Sequence, residues 1–136
     1  MYYRGAQAAL VVYDVTSVDS FRRAKMWVRE LRQVNGNEMV IGLAGNKADL
    51  AAGAHRPIDT RETMEYAEEN GLIFLETSAR RGDNVMEMFI AIAKQVLAKQ
   101  AANPSSKNEE ILQADNSNGK KNGGCCLTSH KNKTKT

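Results

Sequence analysis

The fold is decided by Met39-Val40-Ile41-Gly42-Leu43-Ala44-Gly45-Asn46-Lys47-Ala48-Asp49. Its first part, Met39 to Ala44, is a short and almost wholly apolar run, the pattern of a strand covered on both faces. It passes without a break into a polar, turn-prone loop, Gly45 to Asp49. Two more runs share this character. Ala8-Ala9-Leu10-Val11-Val12-Tyr13-Asp14 reads as an earlier strand, and Leu72-Ile73-Phe74-Leu75 reads as a later one that runs into Glu76-Thr77-Ser78-Ala79-Arg80.

Helical spacing fills the intervals. Thr16 and Ser17 can cap a helix in which Val18, Phe21, Ala24, Val28 and Leu31 form the apolar stripe, and Asn35-Gly36-Asn37 ends it. After a loop through Pro57, Asp59 and Glu62 have capping-box spacing ahead of Met64 and Ala67, with Asn70-Gly71 as the stop. Asn84 and Glu87 have the same spacing before a last helix whose Val85, Phe89, Ile92 and Val96 are expected to face inward. The order β-α-β-α-β-α, with right-handed crossovers, predicts an α/β fold with three parallel strands in one sheet. From Ala101 the composition turns to Asn, Ser, Gly and Lys, which predicts a globular part over residues 1–100 and a disordered tail over 101–136.

In such sheets ligands bind beyond the carboxyl ends of the strands, and both polar loops lie at that edge. An isolated Asn-Lys-Ala-Asp is most often an ordinary turn, so its position carries the weight. The residue types suit a guanine. The two oxygens of the Asp49 carboxylate match the parallel donors of ring N1–H and the exocyclic amino group, a pair that adenine lacks. The Asn46 amide can donate to a base acceptor while tying neighbouring loops, and the methylene stem of Lys47 can lie along a base face. Backbone N–H groups near Ser78 and Ala79 can meet the guanine carbonyl.

Asn46-Lys47-Ala48-Asp49 after one strand and Ser78-Ala79 after the next resemble the fourth and fifth guanine motifs of the Ras superfamily. Met1 to Ala6, Val12-Tyr13-Asp14-Val15-Thr16, Trp27-Val28 and Glu76 to Ala79 narrow the resemblance to Rab GTPases, especially the early-endosomal Rab five group. It covers residues 1 to about 100. It implies the C-terminal part of a P-loop NTPase domain, with GTP or GDP and Mg²⁺ as the family's cofactors. It also implies effectors, exchange factors and GTPase-activating proteins as partners, and a role in endocytic vesicle traffic and endosome fusion. Tyr2, Tyr3 and Arg4 match the end of the second switch, an effector surface in the family. Arg80 stands where most Rabs carry Lys, and its stem can also cover a base.

The sequence departs from the family in what holds phosphate. It contains no G-x-x-x-x-G-K-[ST], no Asp-x-x-Gly and no glutamine placed to orient water, so no metal ligand and no catalytic residue is assigned. Tight GTP binding by this chain alone is not expected, and a nucleotide-independent interaction fragment is the alternative from another class. A flavodoxin-like receiver or redox domain, suggested by Asp14 and Asp49 after strands, leaves Asn46, Lys47 and Ser78-Ala79 unexplained.

Charge is balanced through residue 100, and the formal net +3 comes from the tail. Lys120, Lys121, Lys131, Lys133 and Lys135 suit an anionic membrane surface better than a nucleic acid, though a solvated tail is equally consistent with charge alone. No secretory signal pattern is present, and no apolar run approaches the roughly 18 residues of a membrane span, which predicts a cytosolic or peripheral protein. The adjacent Cys125 and Cys126 close no useful loop and are read as reduced thiols. They resemble the prenylated pair of Rabs, implying the cytosolic face of early endosomes or the plasma membrane. Leu127 to Thr136 follow them, however, leaving prenylation after trimming, S-acylation and no lipid all open. His55 and His130 are expected to be exposed and without catalytic work.

Overall fold

Every apolar run named above becomes a strand. The computed structural model describes residues 3–51 and 56–104. In chain order it forms β1 (Ala8–Asp14), α1 (Val18–Asn35), β2 (Val40–Asn46), α2 (Thr60–Glu69), β3 (Ile73–Glu76) and α3 (Val85–Ala102), with a 3₁₀ turn at Ala48–Leu50. The strands are parallel in the order β1-β2-β3. Ala8 pairs with Val40 and Asp14 with Asn46, while Gly42 pairs with Ile73 and Gly45 with Glu76. This register brings the ends of all three strands to one edge.

Side chains alternate across a strand, so the sheet divides the core in two. Val11, Tyr13, Ile41 and Leu43 pack with Phe21, Ala24, Val28 and Leu31 of α1 on one face. Val40 and Ala44 pack with Met88 and Ile92 of α3 on the other. Gly42 is required by this second contact. A Cβ there would stand 2.7 Å from Ile92 Cδ1 and 3.0 Å from Met88 Sδ, so a bare backbone lets α3 approach β2 closely.

Helix α1 starts where Ser17 accepts a hydrogen bond from Ser20 N–H and stops at Gly36. Near its end the Arg32 guanidinium donates to the carbonyls of Met39 (2.8 Å), Asn70 (3.2 Å) and Gly71 (3.3 Å). One side chain thus ties α1 to the entry of β2 and to the turn between α2 and β3.

Three sequence expectations change. Asp59 caps α2 through Arg61 N–H at 2.9 Å, but Glu62 pairs with Lys25 at 3.2 Å instead of closing a capping box. Asn84 precedes α3 in the left-handed region, φ 56°, and its Nδ2 donates to Glu76 O at 2.8 Å, so it anchors the helix to β3 without capping it. Phe89 does not face inward. It is 56% exposed, and Met88, at 1%, takes the buried position one turn before Ile92. Helix α3 is apolar on nearly every side, so periodicity alone could not choose its buried face.

Tyr2, His55, Cys125, Cys126 and His130 lie outside the described residues. No described helix is long and apolar enough to cross a membrane.

Candidate functional site

The polar edge is built by continuing the sheet's hydrogen bonding beyond its last strand residues. Thr77 N–H donates to Gly45 O at 2.8 Å and Ala48 N–H to Thr77 O at 3.0 Å, which welds the loop after β2 to the loop after β3. Gly45 carries no Cβ because the Tyr13 hydroxyl would lie 2.7 Å from it. Side chains add a second set of ties. Asn46 Oδ1 accepts from Ala79 N–H at 3.0 Å and from the Thr77 hydroxyl at 3.4 Å. The Ser78 hydroxyl donates to Asp49 Oδ1 at 2.7 Å and accepts from Arg81 N–H at 3.2 Å. Ser78 is itself fully buried, so its hydroxyl forms a fixed support under an accessible carboxylate.

Lys47 takes a left-handed backbone, φ 66°, immediately before the 3₁₀ turn. That conformation is uncommon for a residue with a side chain and is characteristic of functional turns. Its ammonium lies 2.6 Å from Asp14 Oδ2 at the end of β1. Asp14 Oδ1 accepts from the N–H (2.9 Å) and hydroxyl (2.6 Å) of Thr16. The lysine stem is thereby stretched along the rim of the crevice.

The carboxylates respond to these partners. The Ser78 hydroxyl, aided by a backbone N–H and the positive charge of Arg81 and Arg80, holds Asp49 below the usual aspartate range. Partial burial pushes Asp14 upward, but Lys47 and the two Thr16 donors outweigh it and leave its carboxyl lowered as well. Both groups are therefore anionic at neutral pH. Asp49 Oδ2 has no hydrogen-bond donor among the described residues and Oδ1 holds only the Ser78 hydroxyl, so both oxygens can still accept from an incoming pair of donors.

Asn46, Lys47, Asp49, Leu50, Ala79 and Arg80 line an open cleft of about 280 Å³. A sequence profile of the Ras family matches residues 1–98. The chain belongs to the Ras family. Within this family it is similar to the "Ras-related protein Rab-5A" of Dictyostelium discoideum, with 52% identity over 126 residues. The matched part is 93% of this chain and 62% of that protein, so the chain spans less than two thirds of its relative.

Of the residues singled out in the sequence of this Ras-family chain, Asn46, Lys47, Asp49, Ala79 and Arg80 meet in one cleft, with Ser78 directly beneath. Leu50, Thr77 and Asp14 were missed. The signal for Asp14 was available only through the register, which sets it beside Asn46 and so within reach of Lys47. Tyr3 and Arg4 lie apart from this cleft. Tyr3 packs partly against the α1 side of the core and its hydroxyl donates to Glu30, whereas Arg4 is exposed.

Proposed function

We propose that this chain is the guanine-reading part of a Rab-type switch that works in endocytic vesicle traffic. The observation that carries the proposal is the convergence of Asn46, Lys47, Asp49, Ala79 and Arg80 from two separate loops on one cleft. Asp49 accepts from N1–H and the amino group of guanine, with Ser78 fixing the angle of the carboxylate. The stems of Lys47 and Arg80 cover the base from its two faces. Asn46 Nδ2 is a donor without a protein acceptor among the described residues and meets a ring nitrogen of the base. The Ala79 N–H, already bonded to Asn46 Oδ1, turns to the guanine carbonyl as a shared donor.

Residues 1–100 form the base-reading unit and 101–136 the tail. Tyr2, Tyr3 and Arg4 belong to the surface for effectors and regulators. Cys125 and Cys126 offer two lipid attachment points, which together with the tail lysines suit a peripheral protein of the endosomal or plasma membrane. GTP or GDP is the nucleotide of the complete switch. Phosphate and Mg²⁺ require groups that this sequence does not contain, and GTP hydrolysis depends on them.

Swapping Asp49 for Asn tests the base assignment. Asparagine presents one acceptor and one donor, which fits xanthine, where a carbonyl replaces the amino group. In amide NMR titrations, Asp49→Asn should weaken guanosine by about tenfold or more and strengthen xanthosine in return. Equal responses to guanosine and adenosine in the parent chain would remove the proposal.

A further inference from the structure

Glu76 closes β3 and stands directly before Thr77-Ser78-Ala79, the loop that supplies one side of the cleft. Its own side chain does not line the cleft. Arg56 donates from Nη2 to Glu76 Oε1 and from Nη1 to Oε2, the latter at 3.3 Å, and the Thr60 hydroxyl adds a bond to Oε1 at 3.0 Å. Arg56 Nε is held in turn by Ile58 O at 2.9 Å, so the plane of the guanidinium fork is fixed. The Glu76 carbonyl accepts from Asn84 Nδ2 at 2.8 Å, which ties the same residue to the approaches of both α2 and α3.

These bonds secure both ends of one segment. Asp49 and Arg56 bound the stretch that leads from the base-reading turn toward α2. Asp49 is held by the Ser78 hydroxyl and Arg56 by the Glu76 carboxylate, and Ser78 and Glu76 stand on either side of Thr77. The first turn of α2 adds another tie, because the Thr63 hydroxyl accepts from the Tyr13 hydroxyl at 3.3 Å and Tyr13 packs against Gly45. The end of β3, the turn bearing Asp49 and the start of α2 thus belong to one polar frame. Stability alone does not account for it. The Arg56 and Glu76 side chains are 24% and 23% exposed, and at such sites desolvation offsets most of the attraction. What the pair supplies is direction, since a planar fork meets a planar carboxylate in few orientations.

We propose that Glu76 is a positioning residue for base recognition, acting through Arg56 and Thr60 to aim the Ser78 hydroxyl at Asp49. The inference rests on the base-reading function given above. With the fork intact, the direction in which Thr77 to Ala79 leave β3 is set, and with it the Ser78 hydroxyl and the Ala79 N–H. Without the fork, Glu76 keeps only the Thr60 bond, and the strand end can turn about it. Ser78 then supports Asp49 less well, and the two carboxylate oxygens lose the fixed angle that a pair of parallel donors needs.

The test uses the full chain, with guanosine as the probe in amide NMR titrations and urea denaturation to show that each variant is folded. Glu76→Gln sets an amide donor against one end of the Arg56 fork and should weaken guanosine by about fivefold or more. Arg56→Met should act in the same direction, and the double variant should bind no more weakly than the worse single one. Arg56→Lys, which keeps the charge and one bond, should recover part of the loss. Without guanosine, the titration midpoint of Asp49 should rise in Glu76→Gln as its Ser78 donor is displaced, a readout that a purely stabilising ion pair would leave unmoved. Thr60→Val, a milder change at the first residue of α2, should give the same pattern at smaller size and carries the test if Glu76→Gln does not fold. An unchanged guanosine affinity or an unchanged Asp49 midpoint in a folded variant, or additive losses in the double variant, overturns the inference while the base reading stands. A parent chain that responds equally to guanosine and adenosine removes the base reading, and the positioning role falls with it.

Discussion

Adding one methyl group at Gly42 should loosen the seam between α3 and the sheet, and the structure says which atom resists it. The new Cβ would sit 2.7 Å from Ile92 Cδ1, 3.0 Å from Met88 Sδ and 3.2 Å from Ile92 Cγ1. Both neighbours are side chains in a buried cluster, so they can shift, but only by disturbing their packing on Val40 and Ala44. Overpacking of this kind costs about 1 to 3 kcal/mol, and the flexible ends of the contacting side chains place Gly42→Ala toward 1 to 2. Ile92→Val deletes Cδ1, the nearest atom, and alone should cost about 0.5 to 1.5 kcal/mol. Combined, the two changes should cost less than their sum by about 1 kcal/mol, since the methyl occupies space that Cδ1 vacates. Urea denaturation of the four proteins measures this cycle, with unchanged m-values showing that the unfolded state is unaffected. Strict additivity, or a double variant worse than the sum, would refute the close-approach account of Gly42.

Replacing Arg32 by Met keeps the stem but removes donors to Met39, Asn70 and Gly71. Partial exposure of the site limits the loss to about 2 to 3 kcal/mol, and a change below about 0.5 in urea midpoint analysis would deny Arg32 its tying role. Ser78→Ala should raise the titration midpoint of Asp49 toward the ordinary value of about 3.9, as read by carboxyl carbon NMR. Because the Asp49 pKa is lowered on folding, its contribution to stability is present above the unfolded value and fades as pH falls through the folded one. The Ser78→Ala variant should therefore lose less stability across that acid range, and a midpoint that stays put or drops contradicts the hydroxyl's role.

Sequence pattern alone located the three strands, because a strand buried on both faces needs an unbroken apolar run such as Val40 to Ala44. It also located most of the cleft, since loops after adjacent parallel strands must meet at one edge. What it missed depended on three-dimensional register. Asp14 reaches Lys47 only because β1 and β2 pair as they do. The turn of Asn84 toward Glu76 reflects a left-handed backbone that no capping pattern reveals. The inward choice of Met88 over Phe89 was undetermined because α3 offers apolar residues on both sides. Arg32 carries no mark in the sequence, because two of the carbonyls it reaches, those of Asn70 and Gly71, lie 38 and 39 residues along the chain.

In the proposed function, the cleft binds the base and the phosphates are left without a grip. Phosphate contacts are charge-assisted and worth roughly 1.5 to 3 kcal/mol each, so their presence or absence dominates any comparison of nucleoside with nucleotide. The direct measurement is a titration of the full chain with guanosine and with GTP, with and without Mg²⁺, followed through the amides of Asn46, Lys47, Asp49, Ser78 and Ala79. A base-only site should show the same amides responding to both ligands, affinities equal within about threefold, and no effect of Mg²⁺. GTP binding about a hundredfold tighter than guanosine and dependent on Mg²⁺ would contradict it.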